Sequence, residues 1–320
     1  ADQKLRRSPP AGAGSLSAVD ESVVSVGVLG CGTVGASLLA LLERQSATIN
    51  SRTGLSLEVS RIAVRNLSQK RSAVVGADAF TDDALSVVSD PSIDIIVEVM
   101  GGIEPARGLV LAALAAGKPV VTANKALLAA HGFELFAAAE SAGVDILFEA
   151  SVAGGIPFIR PLRESLLAEP VVRVMGIMNG TTNYILTRMS EAGADYSEAL
   201  AEAQSLGYAE ADPTADVEGH DAAAKIAIVA SIAFGAEVTS SDVHCEGISS
   251  VSADDISFAQ RHGYAIKLLA IAERFSLPGG DELSARVHPC LIPKAHPLAA
   301  VRESFNAVFV QGDAVGDLMF

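Results

Sequence analysis

Short apolar runs alternate with helix-forming segments through the first half of the chain. Runs at Val23–Leu29, Leu57–Val64 and Ile93–Met100 are nearly continuous in apolar residues, as expected of parallel strands buried on both faces. Strands are also predicted to start at Pro119–Val121 and to cover Val144–Glu149. This alternation predicts an α/β fold built on a doubly wound, Rossmann-type parallel sheet.

Start and stop signals bound the helices between these strands. Thr81 precedes a helix-forming segment at Asp82–Val88 and is predicted to cap it. A second helix is expected to open at Glu104–Pro105 and to end at Gly117. A third is predicted around Glu134–Ala142.

The pattern changes at the turn Ala150–Pro157, where we place a domain boundary. The sequence therefore divides into a predicted flexible tail (1–22), a first domain (23–150) and a second domain of α+β type (151–320). Helices of the second domain are predicted at Phe158–Leu167, Asn179–Met189, Tyr196–Leu206, Asp221–Phe234 and Asp254–His262. Its strands are predicted at Val171–Met178, Tyr264–Arg274, Ala285–Ile292 and Ala307–Gln311.

The composition restricts the classes of function. Half of the 320 residues are hydrophobic and 19% are charged, which is typical of a globular chain with room for two domains. A formal net charge of −15 disfavours nucleic acid and anionic membranes as partners. No apolar run reaches the roughly 20 residues that a membrane span needs.

Two further features concern the compartment. Cys31, Cys245 and Cys290 are odd in number and lack metal-site spacing, which fits a reducing cytosol and predicts a cytoplasmic location. Residues 1–22 are rich in Pro, Gly, Ser and Ala and lack the apolar segment of a signal peptide. We therefore expect a flexible tail there.

The first strand runs directly into a glycine-rich turn, GCGTVG, followed by a helix. Gly30, Gly32 and Gly35 form the G-x-G-x-x-G pattern in the strand–turn–helix context that dinucleotide binding requires. Glycines there permit a tight turn and let a pyrophosphate approach the backbone N–H groups at the helix start. The alternative is a tight turn without a ligand.

Arg65 follows the second predicted strand, with Lys70 and Arg71 nearby. Sites that prefer NAD usually carry an acid at this strand end, whereas an arginine accommodates the 2′-phosphate of NADP. The sequence therefore favours NADP as cofactor, with NAD possible. A solvated basic loop is the alternative.

Lys125 lies in the stretch TANKALL, where a predicted strand ends and a helix starts. Ligands of open α/β sheets bind at this edge, although a surface lysine is the alternative. In the second domain, NGTTNYI (179–185) combines hydroxyls and amides at a strand–helix junction. Thr181 in this stretch is predicted to bind a small polar substrate, with helix capping as the alternative.

The most unusual stretch is GYAEADPTADVEGHDAAAK (207–225), an acid-rich run that leads into a helix. Asp221 and Lys225 are four residues apart and fall on one face of that helix. An ordinary surface ion pair has the same spacing. The apolar remainder, Ile226–Phe234, indicates a buried helix, and a buried lysine requires a partner or a function.

Together these motifs, with the turn EASVAGGIP (149–157), resemble homoserine dehydrogenases in their order and spacing over residues Val23–Phe320. The resemblance implies reversible reduction of L-aspartate 4-semialdehyde to L-homoserine with a nicotinamide cofactor. This step leads towards threonine, methionine and isoleucine. The resemblance also implies a homodimer.

The resemblance assigns roles residue by residue. It implies that Lys225 is the acid–base group and that Asp221 and Glu210 hold the substrate, while Lys125 lies between cofactor and substrate. Besides the glycines, the implied nucleotide-contacting positions are Thr33, Val34, Thr122 and Gly207. The implied ligands of a monovalent cation, Na⁺ or K⁺, are Glu149, Val152, Gly154 and Ile156.

One departure and two alternatives accompany this interpretation. The family continues beyond a segment like VGDLMF, so we expect a chain that ends at Phe320 to be a truncated form with impaired cofactor affinity. An aldehyde-acylating dehydrogenase would use Cys245 or Cys290 as nucleophile. A non-catalytic NADP(H)-binding protein of the same fold is the other alternative.

Overall fold

The computed structural model describes residues 22–69 and 75–320. The predicted tail, except for its last residue, lies outside the described residues, as do Lys70 and Arg71. Within the described ranges, no helix is both long enough and apolar enough to span a membrane.

The first sheet has six parallel strands in the order β3-β2-β1-β4-β5-β6. The chain starts in the centre of the sheet, runs to one edge, then returns and builds the other half, which confirms the predicted doubly wound fold. Its strands are β1 (Ser22–Leu29), β2 (Leu55–Ala63), β3 (Phe80–Thr81), β4 (Ile95–Glu98), β5 (Val120–Thr122) and β6 (Ile146–Leu147).

Within the described residues, four helices connect these strands, and two of them differ in detail from the sequence prediction. Asp83, rather than Thr81, caps the second helix, because its carboxylate accepts the N–H of Ser86. The fourth helix begins at Lys125, as predicted, where Asn124 caps it, and it continues to Ala142, so the separate helix predicted around Glu134–Ala142 is its second half. The helices are α1 (Thr33–Thr53), α2 (Ala84–Ser89), α3 (Ala106–Ala115) and α4 (Lys125–Ala142).

The second half of the chain forms a mixed sheet in the order β12-β11-β7-β9-β10-β8. Only β8 and β10 pair in parallel, and the other pairs are antiparallel. The strands are β7 (Val171–Ile177), β8 (His244–Cys245), β9 (Tyr264–Leu277), β10 (Gly280–Pro293), β11 (Ala307–Gly312) and β12 (Gly316–Met319). The helices are α5 (Gly180–Ala192), α6 (Tyr196–Ser205), α7 (Thr214–Val217), α8 (His220–Phe234) and α9 (Ala253–Arg261).

One predicted helix of this half is shorter than expected and partly of π type. Of Phe158–Leu167, residues 159–165 are helical, and Pro161–Ser165 form a five-residue π-type segment. Pro161 lies in the first turn, where its missing N–H costs no helical bond. The Leu162 N–H bonds the Phe158 carbonyl at 3.1 Å, and the Leu166 N–H bonds the Pro161 carbonyl, five residues back, at 2.9 Å.

Helix α8 joins the two halves. It packs on the second sheet and against α4 of the first domain. Leu128 and Ala129 of α4 and Ile228 of α8 are buried and belong to one continuous hydrophobic cluster. This packing brings Lys125, at the start of α4, to the start of α8, where Asp221 and Lys225 lie.

Candidate active site

The glycine loop is shaped by close contacts between backbone segments. Gly30 adopts φ of 101°, and a Cβ atom there would lie 2.8 Å from the carbonyl oxygen of Val99. A Cβ on Gly35 would collide with the carbonyl oxygen of Gly30. A Cβ on Gly32, in contrast, would meet no heavy atom within 4 Å. Packing therefore requires glycine at Gly30 and Gly35, and at Gly32 it leaves open space before α1.

A cavity of about 490 Å³ lies beside this loop. Its lining includes Gly30, Gly32 and the exposed Arg65 at the end of β2, as well as the carboxylate residue Asp82. Thr33 and Val34 form the first turn of α1, where no side chain caps the helix. The arrangement leaves the helix start and its positive dipole end accessible to an anionic group.

A second layer of polar groups lies where β4 and β5 end. Glu98 is fully buried, and its carboxylate accepts hydrogen bonds from Thr122 Oγ1 at 2.6 Å and from the Met100 N–H at 2.8 Å. Asn124 donates to the Gly102 carbonyl at 2.7 Å while its side-chain oxygen caps α4. These bonds fix the backbone that leads into Lys125.

Asp221 lies between two lysines. Its Oδ2 accepts from Lys225 Nζ at 2.7 Å and from Asn179 Nδ2 at 2.9 Å, and its Oδ1 accepts from Lys125 Nζ. The Asp221 side chain is only 5% exposed, whereas Lys225 is 14% and Lys125 45% exposed. Lys225 Nζ also donates to the Met178 carbonyl at 2.6 Å. Lys225, which is largely shielded from solvent, therefore has both a charged and a neutral partner.

These partners keep Asp221 ionised. Burial alone raises the pKa of the Asp221 carboxyl, but the charge of Lys225 and the hydrogen bonds from Lys125, Lys225 and Asn179 outweigh it. The pKa of Asp221 consequently lies below its usual value. At neutral pH the site contains one carboxylate between two amino groups.

A cavity of about 380 Å³ opens onto this cluster. Lys125 and Lys225 both line it, together with Gly101, Gly102 and Gly154. The structure thus brings together the end of the first sheet, the start of α4, the start of α8 and the turn after β6. A small molecule in this cavity would face both lysines.

The other residues expected at the substrate lie on neighbouring segments. The Thr181 hydroxyl donates to the Tyr208 carbonyl at 2.6 Å, which connects α5 to the turn after α6. Gly207, with φ of 78°, lies in that turn and does not line the cavity beside the glycine loop. Glu210 is exposed, and its backbone carbonyl accepts from Gln204 at 3.0 Å.

The turn EASVAGGIP forms a compact unit around Glu149. The Glu149 carboxylate accepts the N–H groups of Phe158, Ile159 and Arg160 at 2.6, 2.8 and 2.9 Å. Ala153 and Gly154 both have positive φ, so the backbone reverses sharply beside them. Within 22–69 and 75–320, no three His, Cys, Asp or Glu side chains form a metal-binding group.

Two polar residues of the site were not predicted from the sequence. Glu98 was hidden in an apolar run, although a lone acid within a buried strand is itself a signal. Asn179 was included only as part of a capping stretch. Its contacts with Asp221 and with Asp216, at 2.7 Å, depend on the packing of α5 against α7, which in turn packs against α8.

The cysteines do not support a thiol nucleophile. Burial raises the pKa of the Cys290 thiol to about 11. The pKa of the Cys245 thiol is also raised, mainly by burial and to a smaller extent by the negative charge of Glu218. Both thiols are therefore protonated at neutral pH, whereas a nucleophile needs the thiolate. This counts against the aldehyde-acylating alternative.

Two sequence models of one family cover most of the chain. The model described as "Homoserine dehydrogenase, NAD binding domain" matches residues 30–149, and that described as "Homoserine dehydrogenase" matches residues 157–320. The homoserine dehydrogenase of Corynebacterium glutamicum is 56% identical over 300 residues, which are 93% of this chain and 67% of that protein. The Mycobacterium tuberculosis protein is 53% identical over 302 residues, 94% of this chain and 68% of its own.

Solved structures of homoserine dehydrogenases have the same fold as this chain. A homoserine dehydrogenase from Thiobacillus denitrificans superposes with a TM-score of 0.86 at 49% identity, covering 93% of this chain and 68% of that one. A hyperthermophilic archaeal homoserine dehydrogenase in complex with NADPH gives a TM-score of 0.75 at 28% identity, covering 93% and 90%. On this fold, this site and these relatives, the chain belongs to the homoserine dehydrogenase family.

Proposed function

We propose that this chain interconverts L-homoserine and L-aspartate 4-semialdehyde with NADP(H), using Lys225 as the acid–base group. The observation that carries the proposal is the buried Asp221 carboxylate held between Lys225 and Lys125 at the junction of the two halves. In this assignment residues 23–150 bind the dinucleotide. Residues 151–320 bind the substrate and contribute the acid–base group.

The geometry around Lys225 suits proton transfer. A protonated lysine has three N–H donors, and Lys225 Nζ uses two of them, on Asp221 and on the Met178 carbonyl. The remaining donor is available for the carbonyl or hydroxyl oxygen of a substrate in the adjoining cavity. A nicotinamide cofactor supplies or accepts the hydride when bound.

Lys125 has a different role in the proposal. It is more exposed than Lys225 and lies at the start of α4, where the nucleotide domain meets the cavity. We assign it to the boundary between cofactor and substrate, where its ammonium stabilises developing negative charge. Asp221, Glu210 and Thr181 are assigned to holding the substrate, whose ammonium and hydroxyl suit carboxylate and hydroxyl partners.

The cofactor preference rests on Arg65. It lines the cavity beside the glycine loop at the strand end where a 2′-phosphate would lie. Asp82 lines the same cavity and would favour an unphosphorylated ribose, so the two side chains oppose each other. The archaeal relative in complex with NADPH supports the assignment to NADP. The family resemblance adds Thr33, Val34, Thr122 and Gly207 to the proposed cofactor contacts, and of these Gly207 lies in the turn after α6, outside this cavity.

We also propose a monovalent cation, Na⁺ or K⁺, at the turn formed by Glu149, Val152, Gly154 and Ile156. Backbone carbonyls are suitable hard oxygen ligands, and Glu149 adds a negative charge. The Asn306 side chain lies beside the turn, with Nδ2 3.6 Å from where a Cβ on Gly154 would be. Asn306 Oδ1 is buried, and among the described residues it has no hydrogen-bond partner. A bound cation would provide the interaction that this oxygen lacks.

The remaining assignments concern assembly and location. We propose a homodimer formed through the second domain, because the family resemblance implies it. A cytoplasmic location is consistent with three cysteines that form no disulfide. Size-exclusion chromatography with light scattering tests the dimer directly.

The decisive assay is oxidation of L-homoserine by the 320-residue chain, with NADPH and NADH formation followed in parallel. We expect turnover with both cofactors, a lower KM for NADP⁺, and stimulation by Na⁺ or K⁺. Lys225→Ala should lose turnover while retaining NADPH binding. A folded chain that binds NADPH but never oxidises homoserine would instead support the non-catalytic alternative.

A further inference from the structure

One buried amide connects three elements of the site. Asn179 is 5% exposed and caps α5, because its Oδ1 accepts the Thr182 N–H at 2.9 Å. Its Nδ2 donates to Asp216 Oδ1 at 2.7 Å and to Asp221 Oδ2 at 2.9 Å. Both ends of the amide are therefore used, one for the helix cap and the other for two carboxylates.

The two carboxylates need such a donor between them. Asp216, on α7, and Asp221, on α8, are both acceptors of the same NH₂ group, so their negative charges lie close together. A neutral amide separates them with one N–H for each. An ionised acid in its place would bring a third negative charge. An apolar side chain would remove the donor that Asp216 Oδ1 and Asp221 Oδ2 share and would leave Lys225 as the remaining donor to Asp221 Oδ2.

The same contact determines where the Asp221 carboxylate points. Oδ2 of Asp221 receives both the Asn179 amide and the Lys225 ammonium, so the amide and the lysine share one oxygen. Asn179 in turn cannot rotate freely, because Asp216 and the α5 cap hold its two ends. The position of Lys225 Nζ is thus coupled to Asn179 through one carboxylate oxygen.

We propose that Asn179 is a positioning residue, which holds Asp221 so that Lys225 Nζ is aimed at the substrate oxygen. This inference rests on the role of Lys225 in the proposed function. Asn179 itself contacts neither substrate nor cofactor in this assignment. Its loss acts on the rate through the alignment of Lys225, because small displacements of a reacting group cost large factors in rate.

Asn179→Asp is the sharpest test because it keeps the oxygen that caps α5 and removes the NH₂ group that donates to the two carboxylates. Aspartate is as good an N-cap as asparagine, so the bond to the Thr182 N–H is retained. The other oxygen would face Asp216 and Asp221 as a third acceptor instead of a donor. We expect kcat to fall by about 100-fold, with a smaller change in the KM for L-homoserine and an unchanged Kd for NADPH.

Asn179→Ser covers the case in which the added charge prevents folding. Serine also caps helices and adds no charge, but it is too short to reach both carboxylates. We expect normal folding and a loss of about tenfold in kcat. The control is Asp195→Asn, which exchanges acid and amide at the N-cap of α6, away from the cluster, and should leave kcat unchanged.

Each outcome bears on a distinct claim. If Asn179→Ser and Asn179→Asp keep the wild-type kcat, Asn179 is only a helix cap and the inference is wrong. If Lys225→Ala keeps its turnover, the proposed acid–base role of Lys225 is wrong, and the positioning role of Asn179 is wrong with it. An inactive Lys225→Ala beside a fully active Asn179→Ser would overturn the positioning role alone. Thermal unfolding curves of every variant give its folded fraction, and kcat is calculated per folded molecule.

Discussion

The glycine loop and the cluster around Asp221 are constructed by opposite means. The loop uses consecutive residues, Gly30–Gly35, and its form depends on backbone contacts that exclude side chains. The cluster uses side chains from three elements, and Lys125 and Asp221 are 96 residues apart in the chain. The loop is open to a cofactor, whereas Asp221 is almost fully buried.

This difference predicts how each region responds to substitution. A backbone-built site fails when a side chain is added, because the chain cannot hold its conformation or the ligand cannot approach. A side-chain-built site fails when a group is removed, because a buried charge loses its partner. Binding and turnover should therefore be separable by mutation.

The largest effect is expected from Lys225→Met, which keeps the volume but removes the ammonium. We expect kcat to fall by about 10²- to 10⁴-fold, the range typical of a lost acid–base group, with NADPH affinity unchanged. Lys267→Met is the matched control, since Lys267 is 5% exposed and bonds only neutral oxygens, of Asn183 and Val301. Steady-state kinetics per folded molecule should show kcat lost in the first variant and kept in the second.

The second test compares two glycines of the loop. Gly30→Ala places a Cβ against the Val99 carbonyl at positive φ, so we expect a loss of about 1–3 kcal/mol in unfolding free energy together with weaker NADPH binding. Gly32→Ala meets no protein atom, so the unfolding free energy should be unchanged. Its NADPH affinity should still fall about tenfold, because the methyl group occupies the approach of the pyrophosphate. If Gly32→Ala binds NADPH with wild-type affinity, the open space beside Gly32 is not where the pyrophosphate binds.

The third test is at the edge of the nucleotide cavity. Arg65→Ala removes the group proposed to meet the 2′-phosphate, so the KM for NADPH should rise about 10- to 100-fold, the equivalent of one charge-assisted hydrogen bond. The KM for NADH should not change. Arg44→Ala, on the exposed side of α1, serves as control. Equal losses for both cofactors would contradict the assignment to NADP.

The smallest effect concerns the dependence of stability on pH and involves the buried Lys267. Burial lowers the pKa of Lys267 to about 8, from 10.5 in the unfolded chain. Between about pH 8 and 10.5 the unfolded chain therefore holds one more proton, and stability from this group rises with pH. Lys267→Met should lack this rise in denaturant titrations at several pH values. Parallel curves for the two proteins would count against the lowered pKa.

Features that depend on residues close together in the chain could be predicted from the sequence, and features that depend on distant residues could not. Strand and helix alternation predicted the first sheet because apolar runs and glycine turns are read within a few residues. The start of α4 at Lys125 was predicted, but its continuation to Ala142 as one helix was not, because Gly132 and the kink at His131 interrupt the helical pattern without ending the helix. The helix predicted at Phe158–Leu167 forms over residues 159–165, and its π-type part was not predicted because the pattern of apolar residues does not distinguish i→i−5 from i→i−4 hydrogen bonds.

The sequence by itself determined the Rossmann-type half, the glycine loop, and the pairing of Asp221 with Lys225, which are four residues apart on one helix. Only the tertiary structure decided that Lys125 and Asn179 meet the same carboxylate, and that Glu98 lies beneath TANKALL. The physical reason is that helix periodicity acts over one turn, whereas these contacts arise from the packing of α4, α5 and α8 around a common core.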